Sequence, residues 1–437
     1  MSDEIRERAQ EGGKEGETRP KARLKEPNRA QVELRALDLE GILPADHEAR
    51  TVWAFVESLD LSVLTSSIGS VEGHAGRPAT DPRIFMALWL YATIDGVGSA
   101  RSIERLTEVH DAYRWICGGV SVNHHSLSDF RVGHVEFLDG VLSQSVAVLM
   151  KSGSVTLQRV SQDGMRIRAS AAAASFRRRV TLQDCLKTAK TQVRRLRAEL
   201  EQDPEATSRR QAAARQRAVT EREARVKEAL ELMPAAEAKK APQERARARV
   251  STTDPEANVM KMADGGFRPA YNGQFAVDTG SQIVTGVMAS TSGNDQGLLS
   301  QMLEQHERRY GKVPTESLVD GGFVALAEIE SAAQKGTRVY APVPQPRDAQ
   351  RDAHQPMSAD SEVLAEWRVR MGTDEAKEIY KQRASTSECV NALARNRGLR
   401  QLLVRGRTNV LAVLLWYAIA HNVLRQVSLA AQSVAAQ

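Results

Sequence analysis

The hydrophobic period of this chain changes near residue 153, and no other feature constrains its fold as strongly. Before that point apolar residues recur at helical spacing, as in Ile84, Leu88, Tyr91 and, less strictly, Ile94. Thr80-Asp81-Pro82 reads as the start of that helix, with a capping residue followed by Pro in the first turn, and Gly96 and Gly98 as its end. Ser99 caps a second helix with Ile103 and Leu106 on its apolar face. Asp111 to Cys117 makes a short third one closed by Gly118-Gly119. Ser126, with Asp129 as a capping-box partner, opens another, and Val135 to Lys151 is a longer helix.

Strand patterning then begins. Val155, Leu157 and Val160 lead to Asp163-Gly164, Met165 and Ile167, a strand with an Asp at its end. Phe275 and Val277 alternate, Asp278-Thr-Gly-Ser turns the chain, and Ile283 to Met288 returns. Asn294-Asp295 caps a helix to about Tyr310. Ser317 to Asp320 is a short strand ending in Asp, a helix follows, and Arg338 to Val343 is another strand. Residues 344–379 are irregular and then helical, and a helical pattern runs from Ser387 towards Val427 with a break near Gly406. A hairpin followed by strand–helix alternation is an α/β layout with a mixed sheet.

At 437 residues the chain is too long for one core and implies two or three domains. Residues 1–30, rich in charge and Gly, read as a disordered tail. Residues 31–152 read as a helical N-terminal domain whose short helices and tight Gly turns suit DNA binding or a plain bundle. Residues 153–437 form the remaining domain, with a helical insertion at 171–250 and a smaller one at 344–379. From Arg177 to Arg249 there are 20 Lys and Arg against 11 Asp and Glu, so this stretch alone carries +9 and the rest of the chain, whose overall net charge is +5, is slightly acidic at −4. Leu182, Val193, Leu196 and Leu200 give that insertion a partial helical stripe, and Pro204 and Pro234 break it. It reads as a DNA clamp, a dimer contact or a solvated charged hairpin.

The three cysteines, Cys117, Cys185 and Cys389, have no zinc-ligand spacing and fit a reducing cytosol. His124-His125 lacks a further ligand at metal spacing and reads as a pair of loop histidines. The polar N-terminus has no apolar signal region. The longest apolar run, Val410–Ala420, falls short of the roughly 20 residues a bilayer needs, so a buried helix and no membrane partner are expected.

Asp163, Asp320 and Glu388 each stand at the end of a predicted element, where sites form in α/β sheets. Three convergent carboxylates repel one another and call for cations. Their oxygens suit Mg²⁺ or Mn²⁺, and two such ions roughly 3.5–4 Å apart would clamp a phosphodiester. Spacing alone does not select these three from 55 acidic residues.

Four segments do. Gly76-Arg77-Pro78 through Asp81-Pro82, with Leu90-Tyr91, Ser99, Arg101 and Phe130-Arg131, is the first. Asp163-Gly-Met-Arg-Ile-Arg-Ala169 is the second. The third comprises Asp254-Pro-Glu-Ala, Tyr271-Asn-Gly-Gln-Phe-Ala-Val-Asp278, Asn294-Asp295 and Val319-Asp320-Gly-Gly-Phe. The fourth is Tyr380-x2-Arg383-x4-Glu388-x6-Arg395, then Gly398-Leu-Arg400 and Arg405-Gly406. In this order they resemble the DDE transposases of bacterial insertion sequences, and the eleven-eighty-two group in particular, from about residue 30 onward. The resemblance implies an RNase H-like mixed-sheet catalytic domain beside the helical N-terminal domain.

It also implies that Asp163, Asp320 and Glu388 are the catalytic acids holding two Mg²⁺ or Mn²⁺ ions. Tyr380, Arg383 and Arg395 would contact DNA, with Arg395 standing where the family's signature has Lys. The expected partners are terminal inverted repeats, target DNA and a second copy of the chain, since two element ends are held at once. The expected place is the bacterial cytoplasm, on the nucleoid. The alternatives are a catalytically silent or domesticated DNA-binding derivative and an RNase H-like nuclease.

Overall fold

A computed structural model describes residues 30, 38–66, 68–70, 78–202, 209–346 and 350–435. The tail expected over 1–30 lies outside these apart from Ala30, as do Gly76, Arg77 and Pro204. Leu39–Gln437 form one compact unit of mixed α/β structure, with fifteen α-helices and a six-stranded mixed sheet among the described residues.

The first seven helices are α1 (Glu48–Glu57), α2 (Ser62–Ser66), α3 (Pro82–Ile94), α4 (Ala100–Val109), α5 (Asp111–Cys117), α6 (His124–Gly133) and α7 (Val135–Lys151). Their starts are built as the capping residues dictate. Asp81 accepts from Arg83 N at the head of α3, and Ser99 accepts from Ser102 N at the head of α4. One cap differs from expectation. Asn123, not Ser126, starts α6, its side chain accepting from Ser126 N, and Glu104 bonds His124 Nδ1 at 2.7 Å. Helix α3 is buried almost all round, which its nearly unbroken apolar sequence requires.

Strand β1 (Arg159–Arg168) is central. On one side it pairs antiparallel with β5 (Phe267–Asp278). The far edge of β5 carries both β4 (Asn258–Lys261) and β6 (Val284–Ser290). On its other side β1 runs parallel to β7 (Glu316–Leu318), which runs parallel to β8 (Arg338–Tyr340). A two-stranded patch, β2 (Phe176–Arg177) with β3 (Val250–Ser251), closes the neck of the insertion. The insertion itself is two helices packed along each other, α8 (Arg179–Gln202) and α9 (Arg209–Ala238). Leu182, Val193 and Leu196 are buried as their spacing implied. Pro234 does not break α9 but lies inside it. It sits exposed in the penultimate turn, while its neighbour Met233 is buried and keeps that turn packed.

The remaining helices are α10 (Leu298–Tyr310), α11 (Leu326–Gln334), α12 (Glu362–Gly372), α13 (Asp374–Arg383), α14 (Cys389–Asn396) and α15 (Arg407–Ala435). One core runs from the first helices through one sheet face to α15, and a second lies under α10–α13 and β7–β8. Trp416 at the middle of α15 is 1% exposed and donates its indole N–H to Arg131 O at 3.0 Å. By length and composition α15 could cross a membrane, but 61% of its apolar window is buried inside this chain, as the core reading of Val410–Ala420 requires. Arg309 of α10 pairs with Asp139 of α7, tying the helical half to the sheet layer.

Candidate active site

Asp163 sits in the middle of β1, not at its end as its Gly neighbour suggested. Gly164 is not a turn residue. A Cβ there would press on the Gln274 amide, 2.5 Å from Asp295 Oδ1 and 2.8 Å from Asn272 Oδ1. The strand passes so close to a buried polar cluster that only Gly fits.

Asp320 follows β7 and caps a 3-10 turn, its carboxylate accepting from Gly322 N at 2.8 Å. The parallel register pairs Ser161 with Leu318, so continuing it by two residues sets Asp320 beside Asp163 on the next strand. The third element is a nearly continuous helical run from α13 into α14. It widens into a π turn at Ala384–Glu388, a distortion often found at functional sites. Three of its residues, four apart, plant it on β1. Arg383 Nη2 lies 3.2 Å from Asp163 Oδ1, Ser387 Oγ lies 2.7 Å from Ser161 Oγ, and Asn391 Nδ2 donates to Asp163 Oδ2 at 2.9 Å.

Glu388 comes with that helix. The same Arg383 Nη2 is 3.3 Å from Glu388 Oε1, so the two acid oxygens can be no farther apart than the sum of their contacts to it. Arg383 Nη1 also donates to the Tyr380 hydroxyl at 3.2 Å. Burial holds the Asp163 carboxyl above its ordinary range. The Arg383 charge opposes that shift and the Asp320 charge adds to it. Burial works against the Arg383 charge too, but Tyr380, Asp163 and Asp320 outweigh it and hold the guanidinium above its ordinary value.

Five of the six residues singled out in the sequence thus neighbour one another. Arg395 does not join them. It is exposed seven residues beyond Glu388, in a groove that opens beside Gly164. Among the described residues no group of three His, Cys, Asp or Glu side chains is drawn together as an ion-binding cluster, and Arg383 stands between Asp163 and Glu388. The donor chemistry nonetheless suits a hard cation. The carboxylate oxygens lie beside Asn391 Oδ1, a buried oxygen without a hydrogen-bond partner.

The nearby acids are committed elsewhere. Asp295 does not cap α10, whose N-cap is Gly297. It is buried and accepts from Asn272 and Gln274, each at 2.7 Å, and from Arg166 at 3.0 Å. Asp278 accepts from Ser281 and from Leu157 N. Asp254 accepts from the Tyr271 hydroxyl at 2.6 Å and Gly406 N at 3.1 Å, tying the third motif segment to the fourth. Asn391 is the residue the sequence reading missed. Its position three residues after Glu388 was the only available signal.

Two protein-family models match the chain, a transposase domain over residues 37–132 and a transposase DDE domain over residues 346–427. The second covers Tyr380, Arg383, Glu388 and Arg395, and begins after Asp163 and Asp320. Nothing matches among curated proteins or among solved structures. A transposase domain match on the N-terminal side and a transposase DDE domain match on the C-terminal side together support an insertion-sequence DDE transposase.

Proposed function

We propose that the chain cleaves DNA strands at the ends of a mobile element and joins them to target DNA, with Asp163, Asp320 and Glu388 as its metal-binding acids. The observation that carries this reading is the single Arg383 nitrogen touching both Asp163 and Glu388, with Asp320 two residues past the end of the adjoining strand. Three acids from remote parts of the chain are brought to one place whose charge they could not share without cations. The strand order, an antiparallel β6-β5-β1 half continued by parallel β7 and β8, supports an RNase H-like sheet.

A divalent cation on Asp163, Asp320 and Glu388 would polarise the scissile phosphodiester and stabilise the leaving oxygen, and two such ions would serve both attacking and leaving groups. Asn391 orients the Asp163 carboxylate through its amide N–H. Arg383 neutralises Asp163 and Glu388, and its planar fork would suit a DNA phosphate. Tyr380 holds that guanidinium through its hydroxyl. Residues 31–152 bind the inverted repeats in this reading, and a dimer holds the two ends on the bacterial chromosome.

A DNA-binding derivative without catalysis draws on one observation, the guanidinium interposed between two of the acids. One experiment separates the readings. DNA carrying the inverted repeats that flank the reading frame is incubated with the protein and Mg²⁺. Wild type cuts at the ends, and Asp163→Asn, Asp320→Asn and Glu388→Gln each lose at least about a thousandfold in rate. Cutting that survives all three substitutions removes the triad. Cutting of DNA without the repeats at an equal rate favours a general nuclease.

A further inference from the structure

Beside Gly164 the sheet edge opens into a groove of about 810 Å³ that none of the proposed catalytic steps uses. Its walls come from three separate elements: the end of β1, the β4–β5 hairpin and the segment leaving α14. They contribute Arg166, Arg168, Lys261, Arg268, Arg395 and Arg400, against one lining acid, Asp264. Two of these cations are satisfied, Arg166 by Asp295 and Arg268 by Asp264. Arg168, Lys261 and Arg395 have no acidic partner among the described residues, and Arg400 bonds only the carbonyl of Arg395, at 3.2 Å.

A second groove of about 800 Å³ adjoins it, and Gly293 lines both. Strand β4 runs between them, with Lys261 on the first and Asn258 and Val259 on the second. Lys239 and Lys240, just after α9, and Arg249, just before β3, line the second groove, again without acidic partners among the described residues. Concave surfaces of one sign focus potential, and like charges held this close are relieved only by an anion from outside. A single small anion could neutralise a few of them. Cations on the sheet, the hairpin, the α14 segment and the insertion foot match a polyanion that passes each in turn.

We propose that these two grooves are one channel for the phosphate backbone of duplex DNA, running from the sheet edge at Gly164, next in the chain to the proposed cleavage point at Asp163, to the foot of the α8–α9 insertion. This rests on the proposed function, because it takes Asp163 as the point where the DNA is cut. It gives Arg395 a phosphate contact outside the acid cluster, and makes the neck of the basic insertion part of the DNA path.

The test is equilibrium binding of a fluorescent random-sequence DNA duplex in EDTA, so that no strand is cut, across a salt series. Each phosphate contact contributes about −0.9 to the slope of log K against log salt. The variants are Arg168→Gln with Lys261→Gln, and Lys239→Gln with Lys240→Gln, none of which breaks an internal ion pair. Each double variant flattens the slope by roughly 1.8 and leaves the melting temperature unchanged. The control Lys335→Gln, outside both grooves, leaves the slope as in wild type. Unchanged slopes in the folded double variants overturn the channel. So does an equal change in the control, which would mean a diffuse field, or a loss confined to duplex RNA. Failure of the catalytic reading is separately visible, as cutting by Asp163→Asn in Mg²⁺ with the binding slopes still flattened in the groove variants.

Discussion

Gly164→Ala is the sharpest perturbation of the candidate site, because the cost can be worked from atoms around it. The new methyl would press on the Gln274 amide and lie 2.5 Å from Asp295 Oδ1 and 2.8 Å from Asn272 Oδ1, all inside the 3.0 Å that real Cβ contacts respect. None of the three can step aside cheaply. Asp295 Oδ1 is bonded to both Asn272 and Gln274 at 2.7 Å, its other oxygen is bonded to Arg166, and Gln274 is bonded to Gln162 at 3.0 Å. Overpacking costs about 1–3 kcal/mol, and relief through one broken buried hydrogen bond about 1–3 more, so a loss of roughly 2–6 kcal/mol is expected. Urea unfolding at neutral pH reads it directly. Gln274→Ala removes part of the obstruction, so the double variant should be less destabilised than the sum of the singles. A loss below about 1 kcal/mol, or strict additivity, would refute the close-approach account and restore Gly164 to an ordinary strand position.

Tyr271→Phe removes one of the two partners of Asp254 Oδ1 while Oδ2 already has none, and should cost about 2 kcal/mol in urea unfolding. His306 is wholly buried between Thr285 Oγ1 and Met302 O, and burial lowers it to about 4 from 6.5. A depressed pKa gives stability that is complete above 6.5 and lost as pH falls to about 4, here by about 3 kcal/mol, because the unfolded chain takes the proton first. His306→Gln should flatten the pH dependence of the urea midpoint across that window. Arg383→Met should destabilise by about 2 kcal/mol in EDTA, below the range for a fully buried pair because Glu388 is half exposed. Mg²⁺ should recover more of that loss than it adds to wild type, and equal Mg²⁺ effects on both proteins would argue against a cation site there.

Elements were legible wherever a local pattern carried the physics. The caps at Asp81 and Ser99, the Gly-closed α5 and the β5–β6 hairpin all follow from neighbouring residues. What was hidden depends on distant partners. Gly164 looked like a turn because its reason, the Asp295 cluster, lies more than 100 residues away. Asp295 looked like a cap because nothing local says that Asn272 and Gln274 will bury it. Asn391 was overlooked because its partner is Asp163 on another element. The motifs around Asp163, Asp320 and Glu388 were what singled them out, whereas the Arg383 bridge needed the π turn and the sheet register, neither of which a periodicity reports.

The central claim is that Asp163, Asp320 and Glu388 together hold divalent metal. Titration of Mn²⁺ followed by electron paramagnetic resonance tests it without DNA and without knowing the element ends. Wild type should bind Mn²⁺, Asp163→Asn, Asp320→Asn and Glu388→Gln should each weaken binding by at least about tenfold, and the exposed Asp129→Asn should bind as wild type does. Folded variants of all three acids that bind Mn²⁺ like the wild-type chain would contradict the account.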